Sequence, residues 1–590
     1  MLPLRGQQAP IPEAAQAFIE AHFVAAKQAE AAGDLDRAAE EYRTILDKHP
    51  RLIPEVYQNL GLVYYLQRKH EDAIQTFSQG LRLKPGMVGA QLFTGSSYLY
   101  LEEPNKALPY LTTAHKLKPG ADSARFLAMA ESALGNYETA ADHLRSALGK
   151  SGDPSNDLYL LGDCYQKLAN RIGRSLIVEY PQSLYDSYLT AKILDSQGFF
   201  QVAAREYLDA ARADPGNAAI FYPLARVLTI LGQTDAAQLA LDRYRQLAPR
   251  DASAALDPSS LPRRELANLG VSVDYERRLN ELPPVNAGDL PPLPLLNQSV
   301  NSLLRTKLAR DSTGKWKQAA KRLLDGQMKE AIPLLEGIPP APGDWLRDYL
   351  MATAFVWLDD YASAEKILRR RAVQAAPQPD VRFLRWEVFQ QLSLTYFQRL
   401  LDEHPRSARA HFVKARALDA EGKREALEEY DAAIAADPKQ PEVRLYLADF
   451  HLSNSRHKEA LEACQGELDL NPLSSGAKAR IGKIYVQIRE PDKALPYLTE
   501  ALKINPNDAE AWADLARAHE LGGELEKSLL EYHKALELDP SLNRLHYVLA
   551  RLYRRMGKAE LADKENQLFQ KNESDERKLH LERLDRVRSK

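Results

Sequence analysis

The 590-residue sequence predicts an all-α fold, a solenoid of stacked helix-turn-helix units, and three observations predict it. Four prolines, Pro438, Pro472, Pro506 and Pro540, recur 34 residues apart. Between them apolar residues return at steps of three and four, the period of a helix with one buried face. Small and large residues also occupy fixed slots from unit to unit, as close packing between neighbouring helices demands. Such a chain buries its apolar faces against neighbouring units rather than in one central core.

Taken in order, a first, weaker unit carries Gly33, Ala38, Tyr42 and Pro50. The sharpest follows as Tyr57-x2-Leu60-Gly61-x2-Tyr64-x8-Ala73-x3-Phe77-x2-Gly80-x4-Pro85. Gly61 and Ala73 let two helix backbones approach, Tyr64 and Phe77 fill the wider gaps beside them, and Pro85 cannot donate the N–H that would prolong the helix. Gly95, Tyr98, Ala107, Leu111, Ala114 and Pro119 repeat the frame, as do Ala203, Tyr207, Ala210 and Pro215, then Ala237, Leu241 and Pro249. Near the C-terminus Gly482, Tyr485, Ala494, Leu498, Ala501 and Pro506 fit it, followed by Trp512, Leu515, Ala516, Tyr532, Ala535 and Pro540. These slots resemble the tetratricopeptide repeat (TPR) of multi-repeat bacterial proteins over most of the chain outside 252–310. The resemblance implies a right-handed superhelix whose repeat residues are core, not functional sites.

Two features interrupt the array. Leu176 to Gly198 and Leu400 to Gly422 share Leu, Glu, Pro, Ser, Ala, Leu, Asp and Gly at a constant offset of 224. Each is preceded by a stretch without a strong turn signal, read as one long helix replacing a standard pair, at 156–183 and at 381–407. The second interruption, 252–310, contains Pro258, Pro262, Pro283, Pro284, Pro291, Pro292 and Pro294, which favour polyproline II over helix. It reads as a free linker, or as a segment held by its apolar residues in a groove or by a partner. The expected organisation is an N-terminal segment, 1–18; an N-terminal array, 19–251; the linker; a C-terminal array, 311–570; and a charged capping helix or tail, 571–590. In that tail Leu579, Leu581 and Leu584 leave a pairing stripe as the alternative.

Composition narrows the function. Lys and Arg number 78 against 81 Asp and Glu, a net charge of −3, which gives no reason to expect nucleic acid. No apolar run is long enough for a membrane span. Cys164 and Cys464 lie 300 residues apart and form neither a zinc nor a disulfide framework. No HExxH, CxxC or phosphate-binding glycine loop occurs, so no cofactor is expected and the chain is read as no enzyme. Read from Met1 the protein is cytoplasmic; if LPLRGQQAP is the tail of a longer signal, it is periplasmic or secreted.

The resemblance implies ligand contacts from positions 2, 5, 9 and 12 of each first helix, which line the concave face. Those positions fall on Gln58, Leu62 and Tyr65, on Leu92, Ser96 and Leu99, and on Tyr185, Tyr188, Lys192 and Asp195. Further on they fall on Phe412 and Arg416, on Lys483, and on Arg517 and Glu520. Tyr65, Tyr185 and Tyr188 are expected as aromatic anchors. The carboxylate clamp of chaperone-binding relatives needs Lys at position 5 and Asn at position 9; Gln58 with Leu62, and Leu92 with Ser96, depart from it. The expected function is a scaffold or adaptor holding protein or peptide segments in its groove. The alternatives are a cell-envelope assembly or secretion factor, or an accessory subunit of an enzyme complex.

Overall fold

A computed structural model describes residues 13–571, apart from 151, 182, 197–198, 248–274, 281, 283–297, 312, 341–343, 375, 377 and 421. The described residues are helical throughout, with no strand among them. The helices are α1 (Glu13–Ala32), α2 (Leu35–Lys48), α3 (Pro54–Leu66), α4 (His70–Leu83), α5 (Val88–Tyr100), α6 (Pro104–Leu117), α7 (Ala121–Ala133), α8 (Tyr137–Ala147), α9 (Pro154–Glu179), α10 (Leu184–Ser196), α11 (Phe200–Ala213), α12 (Ala218–Ile230) and α13 (Thr234–Leu247). After these come α14 (Tyr275–Asn280), α15 (Gln298–Ala309), α16 (Lys315–Leu324), α17 (Met328–Glu336), α18 (Leu346–Trp357), α19 (Tyr361–Leu368), α20 (Arg371–Gln374) and α21 (Pro379–Glu403). The chain continues with α22 (Ala408–Ala420), α23 (Ala426–Ala436), α24 (Val443–Ser453), α25 (His457–Leu470), α26 (Ser475–Gln487), α27 (Pro491–Ile504), α28 (Ala509–Leu521), α29 (Leu525–Leu538) and α30 (Arg544–Arg555). A helical stretch over 559–571 pairs with α30 through Ala562.

Most units are pairs of sequential antiparallel helices, and their packing follows the slots. A Cβ at Gly61 would lie 2.5 Å from the Phe77 ring, so α3 and α4 touch only because the first slot is glycine. Tyr42, Phe77, Tyr207 and Tyr430 are fully buried in their units.

The two long helices break this pattern. α9 and α21, of 26 and 25 residues, lie antiparallel against each other, with Glu179 at the end of one bonded to Arg382 at the start of the other at 2.6 Å. Leu158, Leu161, Gly162 and Tyr165, in the first half of α9, stand at first-helix slots. Ser393, Phe397, Leu400 and Pro405, in and just after the second half of α21, stand at second-helix slots. They pack as one unit: a Cβ at Gly162 would lie 2.6 Å from Phe397, and Ser393 Oγ donates to the Gly162 carbonyl at 2.8 Å. The other halves form a second unit with bulk reversed. Gly173 takes the second-helix slot that Phe77 holds in α4, and Trp386 of α21 fills the space from the first-helix side, its Nε1 3.2 Å from where a Cβ would stand.

Each long helix therefore belongs to two units, and the two sequence arms are interleaved. One stack runs α1–α8, the first crossing unit, then α22–α30 and 559–571. The shorter stack runs α16–α19, the second crossing unit, then α10–α13. Ion pairs bind the stacks together beside the crossing. Arg369, just after α19, reaches Asp142 of α8 at 2.6 Å, Arg385 of α21 reaches Glu138 at 2.5 Å, and Arg145 bonds both the Tyr165 hydroxyl and Glu365.

The long stack also meets itself. The within-pair turns of its second and third units place Arg68 and Glu102 at φ 61° and 56°, left-handed backbone that Gly135 and Gly523 occupy in other units. From there Arg68 donates to the Leu470 carbonyl, and the Glu102 carboxylate accepts from Ser475 N at 3.0 Å and Ser475 Oγ at 2.5 Å. Those partners flank the turn between α25 and α26, so units far apart along the long stack are in contact.

Within the stretch expected as a proline-rich linker, α14 lies across α11 and α13 on their outward face. Tyr275, Leu279 and Leu282 are buried there, and the Tyr275 hydroxyl donates to the Gln201 carbonyl at 3.4 Å. α15 packs on α16 and α18. The proline run at 283–294 and the tail beyond 571 lie outside the described residues, as do 1–12; residues 13–18 open α1.

Candidate functional site: the inner face of the long stack

First helices line the inner face, and the crossing does not interrupt it. Arg125 of α7 bonds Asp157 of α9 at 2.7 Å, and Arg409 of α22 bonds Asn156 at 2.8 Å, so α9 takes its place between two ordinary first helices. The rings of Tyr159 and Phe412 meet across the second joint at 5.7 Å.

The expected groove residues divide into three groups. In the N-terminal half, Gln58 accepts from the Ala90 N–H at 3.1 Å, which ties its unit to the next. The Tyr65 hydroxyl meets Ser96 Oγ at 2.9 Å, and its ring packs on Phe93, His70 and Tyr100. Burial holds the His70 imidazole down to about 4. Leu62, Leu92 and Leu99 are half-buried and Ser96 is buried, so this half is apolar and aromatic.

The second group belongs to α10, in the shorter stack. Tyr185 and Tyr188, expected as anchors, are 6% and 5% exposed. Their rings lie against Phe383, and that of Tyr188 also against Trp386, because the second long helix covers the face that counting along the motif leaves open. They are core residues of the second crossing unit. Lys192 stands 5.5 Å above the Trp386 ring, and Asp195 accepts from the Tyr207 hydroxyl and Arg226. Phe412 is likewise corrected: it is fully buried among Tyr159, Tyr430 and Tyr446.

The third group forms the C-terminal half, and it is charged. The ninth positions of α22, α24, α26, α28 and α30 are Arg416, Asp449, Lys483, Arg517 and Arg551. Arg416 lies 5.1 Å above the Tyr446 ring and donates to Gln166 of α9 at 3.4 Å. Asp449 is paired with Arg480 at 2.6 Å. Lys483 faces Asp514, whose carboxyl burial pushes up to about 7 although Lys483 pulls it down. At the end, Glu520 is 4% exposed beneath Arg517, Arg551 and Arg555 at 2.5, 2.9 and 3.0 Å, with the Tyr532 hydroxyl at 3.3 Å. Those arginines hold the Glu520 carboxyl below its ordinary range against the opposing effect of burial. Arg551 and Arg555 escape a count that stops at Glu520, although one more period of 34 from Arg517 lands on Arg551.

Cys164 and Cys464 are buried in separate units, and burial pushes both thiols up to about 12, which keeps them from acting as thiolates near neutral pH. Among the described residues no group of three or more His, Cys, Asp or Glu stands ready for a metal ion, and no helix is long and apolar enough to cross a membrane.

The tetratricopeptide-repeat family model matches residues 23–88, 94–156, 188–252, 416–475 and 480–543, together more than half of the chain. It passes over nearly all of both long helices, whose repeat partners are not contiguous in sequence. Among solved structures, residues 41 to the end of MamA from Desulfovibrio magneticus RS-1 are 22% identical, cover 28% of this chain and 96% of their own, and superpose with a TM-score of 0.27. YrrB, described as a TPR protein with an unusual peptide-binding site, is 22% identical over 32% of this chain and 97% of its own, at 0.26. The Cut9–Hcn1 hetero-tetramer of the APC/C is 13% identical over 96% of each chain, at 0.29. No curated protein matches the chain.

Proposed function

The chain belongs to the tetratricopeptide-repeat family, and from that premise we propose that it is a non-catalytic scaffold holding a segment of a partner protein along the inner face of its long stack. The observation that carries the reading is the unbroken run of first helices through the crossing, from α1 to α30, with Arg125–Asp157 and Arg409–Asn156 joining α9 to its neighbours. An extended segment lying there meets an apolar stretch around Leu62, Leu92 and Leu99, then a charged one from Arg416 onward. Main-chain and side-chain contacts spread over several units are how repeat proteins recognise a flexible ligand.

Selection from a random peptide library on the full chain, followed by hydrogen exchange of the complex, tests this. The expected protection falls on first helices, with α3, α5, α26 and α28 among them. Peptides protecting only second helices, or no selected peptide at all, would overturn the reading.

A further inference from the structure

We propose that the C-terminal end of this groove binds an acidic protein segment, one presenting aspartate or glutamate side chains to Arg517, Arg551 and Arg555; the proposal rests on the scaffold reading above and names its partner's chemistry. The argument begins with charge. Three guanidiniums converge on a single carboxylate, Glu520, so the cluster holds two positive charges more than it neutralises. Glu520 is sealed beneath them, while the side chains of Arg517, Arg551 and Arg555 remain 36%, 45% and 49% exposed.

The geometry gives those charges a direction. Glu520, which also accepts from the Tyr532 hydroxyl, engages only a few of the N–H groups that three guanidiniums carry, and the fork of each is shaped for a carboxylate. A buried anion that orients several cations makes their free donors converge, which is how a preorganised anion site is built. The cluster also lies in line with Lys483 and Arg416 at the same helix position in earlier units, so positive groups recur along the path of an extended ligand. The chain as a whole carries a formal charge of −3, so this concentration is a local feature rather than a consequence of composition.

An acidic peptide is favoured over a nucleic acid by what separates the cations. Asp449, paired with Arg480, takes the same helix position between Lys483 and Arg416 and breaks the even run of cations that a uniformly spaced phosphate backbone needs, whereas a peptide's acids can be spaced to meet the cations that remain.

The test is fluorescence anisotropy of the full chain with short labelled peptides, acidic, neutral and basic, and with an oligothymidylate of the same charge as the acidic peptide. The acidic peptide should bind best, and more weakly as salt rises. Arg551→Gln with Arg555→Gln should weaken it by roughly tenfold or more, the scale of losing hydrogen bonds to a charged group. Glu520→Gln should weaken it too, because the three guanidiniums lose the anion that aims them, while the neutral peptide is unaffected; a cluster that is merely structural would lower the melting temperature without that selective loss. Tighter binding of the oligothymidylate, equal binding of the neutral peptide, or no response to the double substitution would each overturn the proposal. Library peptides that bind the inner face but lack acidic residues would overturn it while leaving the scaffold standing; failure to select any peptide would take the scaffold with it.

Discussion

Gly61 and Phe77 in an ordinary unit, and Gly162 and Phe397 at the crossing, fill the same two packing slots with the same two residue types. Sixteen residues separate the first pair and 235 the second. In the ordinary unit the glycine can find its phenylalanine as soon as one turn has closed. At the crossing it must wait for the other arm. The sister unit of Trp386 and Gly173 shows that the slot tolerates reversal of bulk, provided one side is glycine. What the slot requires is a fixed total volume at a close helix approach, and chain continuity is incidental to it. A solenoid in which each repeat contacts only its neighbours should come apart into segments. This one is tied at the crossing, so its sequence halves are not its structural halves.

The strongest way to break that distinction is to cut the chain. With a protease site placed between 283 and 297, cleavage should leave the two pieces eluting together in size-exclusion chromatography and separating only in denaturant. Either piece made alone should lose helix and aggregate, since α9 or α21 then exposes one apolar side. Pieces that separate freely and stay folded would mean the crossing contributes little. Next, Trp386→Ala should cost about 3–5 kcal/mol, the range for deleting a buried aromatic, because Gly173 offers nothing to fill the hole. Denaturant melts check it, and a loss below 1 kcal/mol would show that the unit has collapsed onto the space. Gly162→Leu and Gly61→Leu should each cost about 1–3 kcal/mol by overpacking. The comparison is sharpened by where the damage appears: hydrogen exchange should rise in both stacks for Gly162→Leu but around α3 and α4 for Gly61→Leu.

The smallest effect is expected from Asp214, at the end of α11, whose carboxyl is pushed up to about 6 by burial, with Asp380 of α21 adding to the effect. Between its ordinary 3.8 and about 6 the folded chain holds a proton that the unfolded chain has released, so this group's contribution to stability falls as pH rises through that window. Above it the cost is complete. Asp214→Asn should therefore raise the melting temperature at pH 7.5 by an amount equivalent to about 1–2 kcal/mol and leave it unchanged near pH 3.5. Equal shifts at both values would place the effect in packing rather than ionisation.

These comparisons also show how far the sequence could be read. The repeat family, the all-helical fold and the small-and-large slots were legible, because each ordinary unit keeps its packing partners within one period. The crossing was half visible. The match at an offset of 224 marks two copies of one element, but two similar segments can sit apart or pack together, and nothing local distinguishes the cases. The second-helix slots of Ser393, Phe397 and Leu400 are well formed, yet their first helix lies on the far side of 252–310. The same non-local contact explains why Tyr185 and Tyr188 counted as groove residues and proved to be core. Phe412 failed for a different reason: its concave position is covered by Tyr159 of the adjoining crossing unit. In 252–310 the prolines outweighed Tyr275, Leu279 and Leu282, three apolar residues at helical spacing that hold α14 against the stack.

The crossing also sets a timetable. During synthesis the first half of α9 leaves the ribosome long before Ser393, Phe397 and Leu400 are made. At about 5–20 residues per second the interval is on the order of 10–50 s. For that time Leu158, Leu161 and Tyr165 form an apolar stripe without its covering helix, although the four units before them have all they need to fold. In a crowded polysome the α21 of a neighbouring chain can satisfy the stripe in place of the chain's own, because the Gly162 and Phe397 contact is the same from either source. Slow dilution and rapid concentration should then give different products from one unfolded pool, single chains in the first case and exchanged pairs in the second.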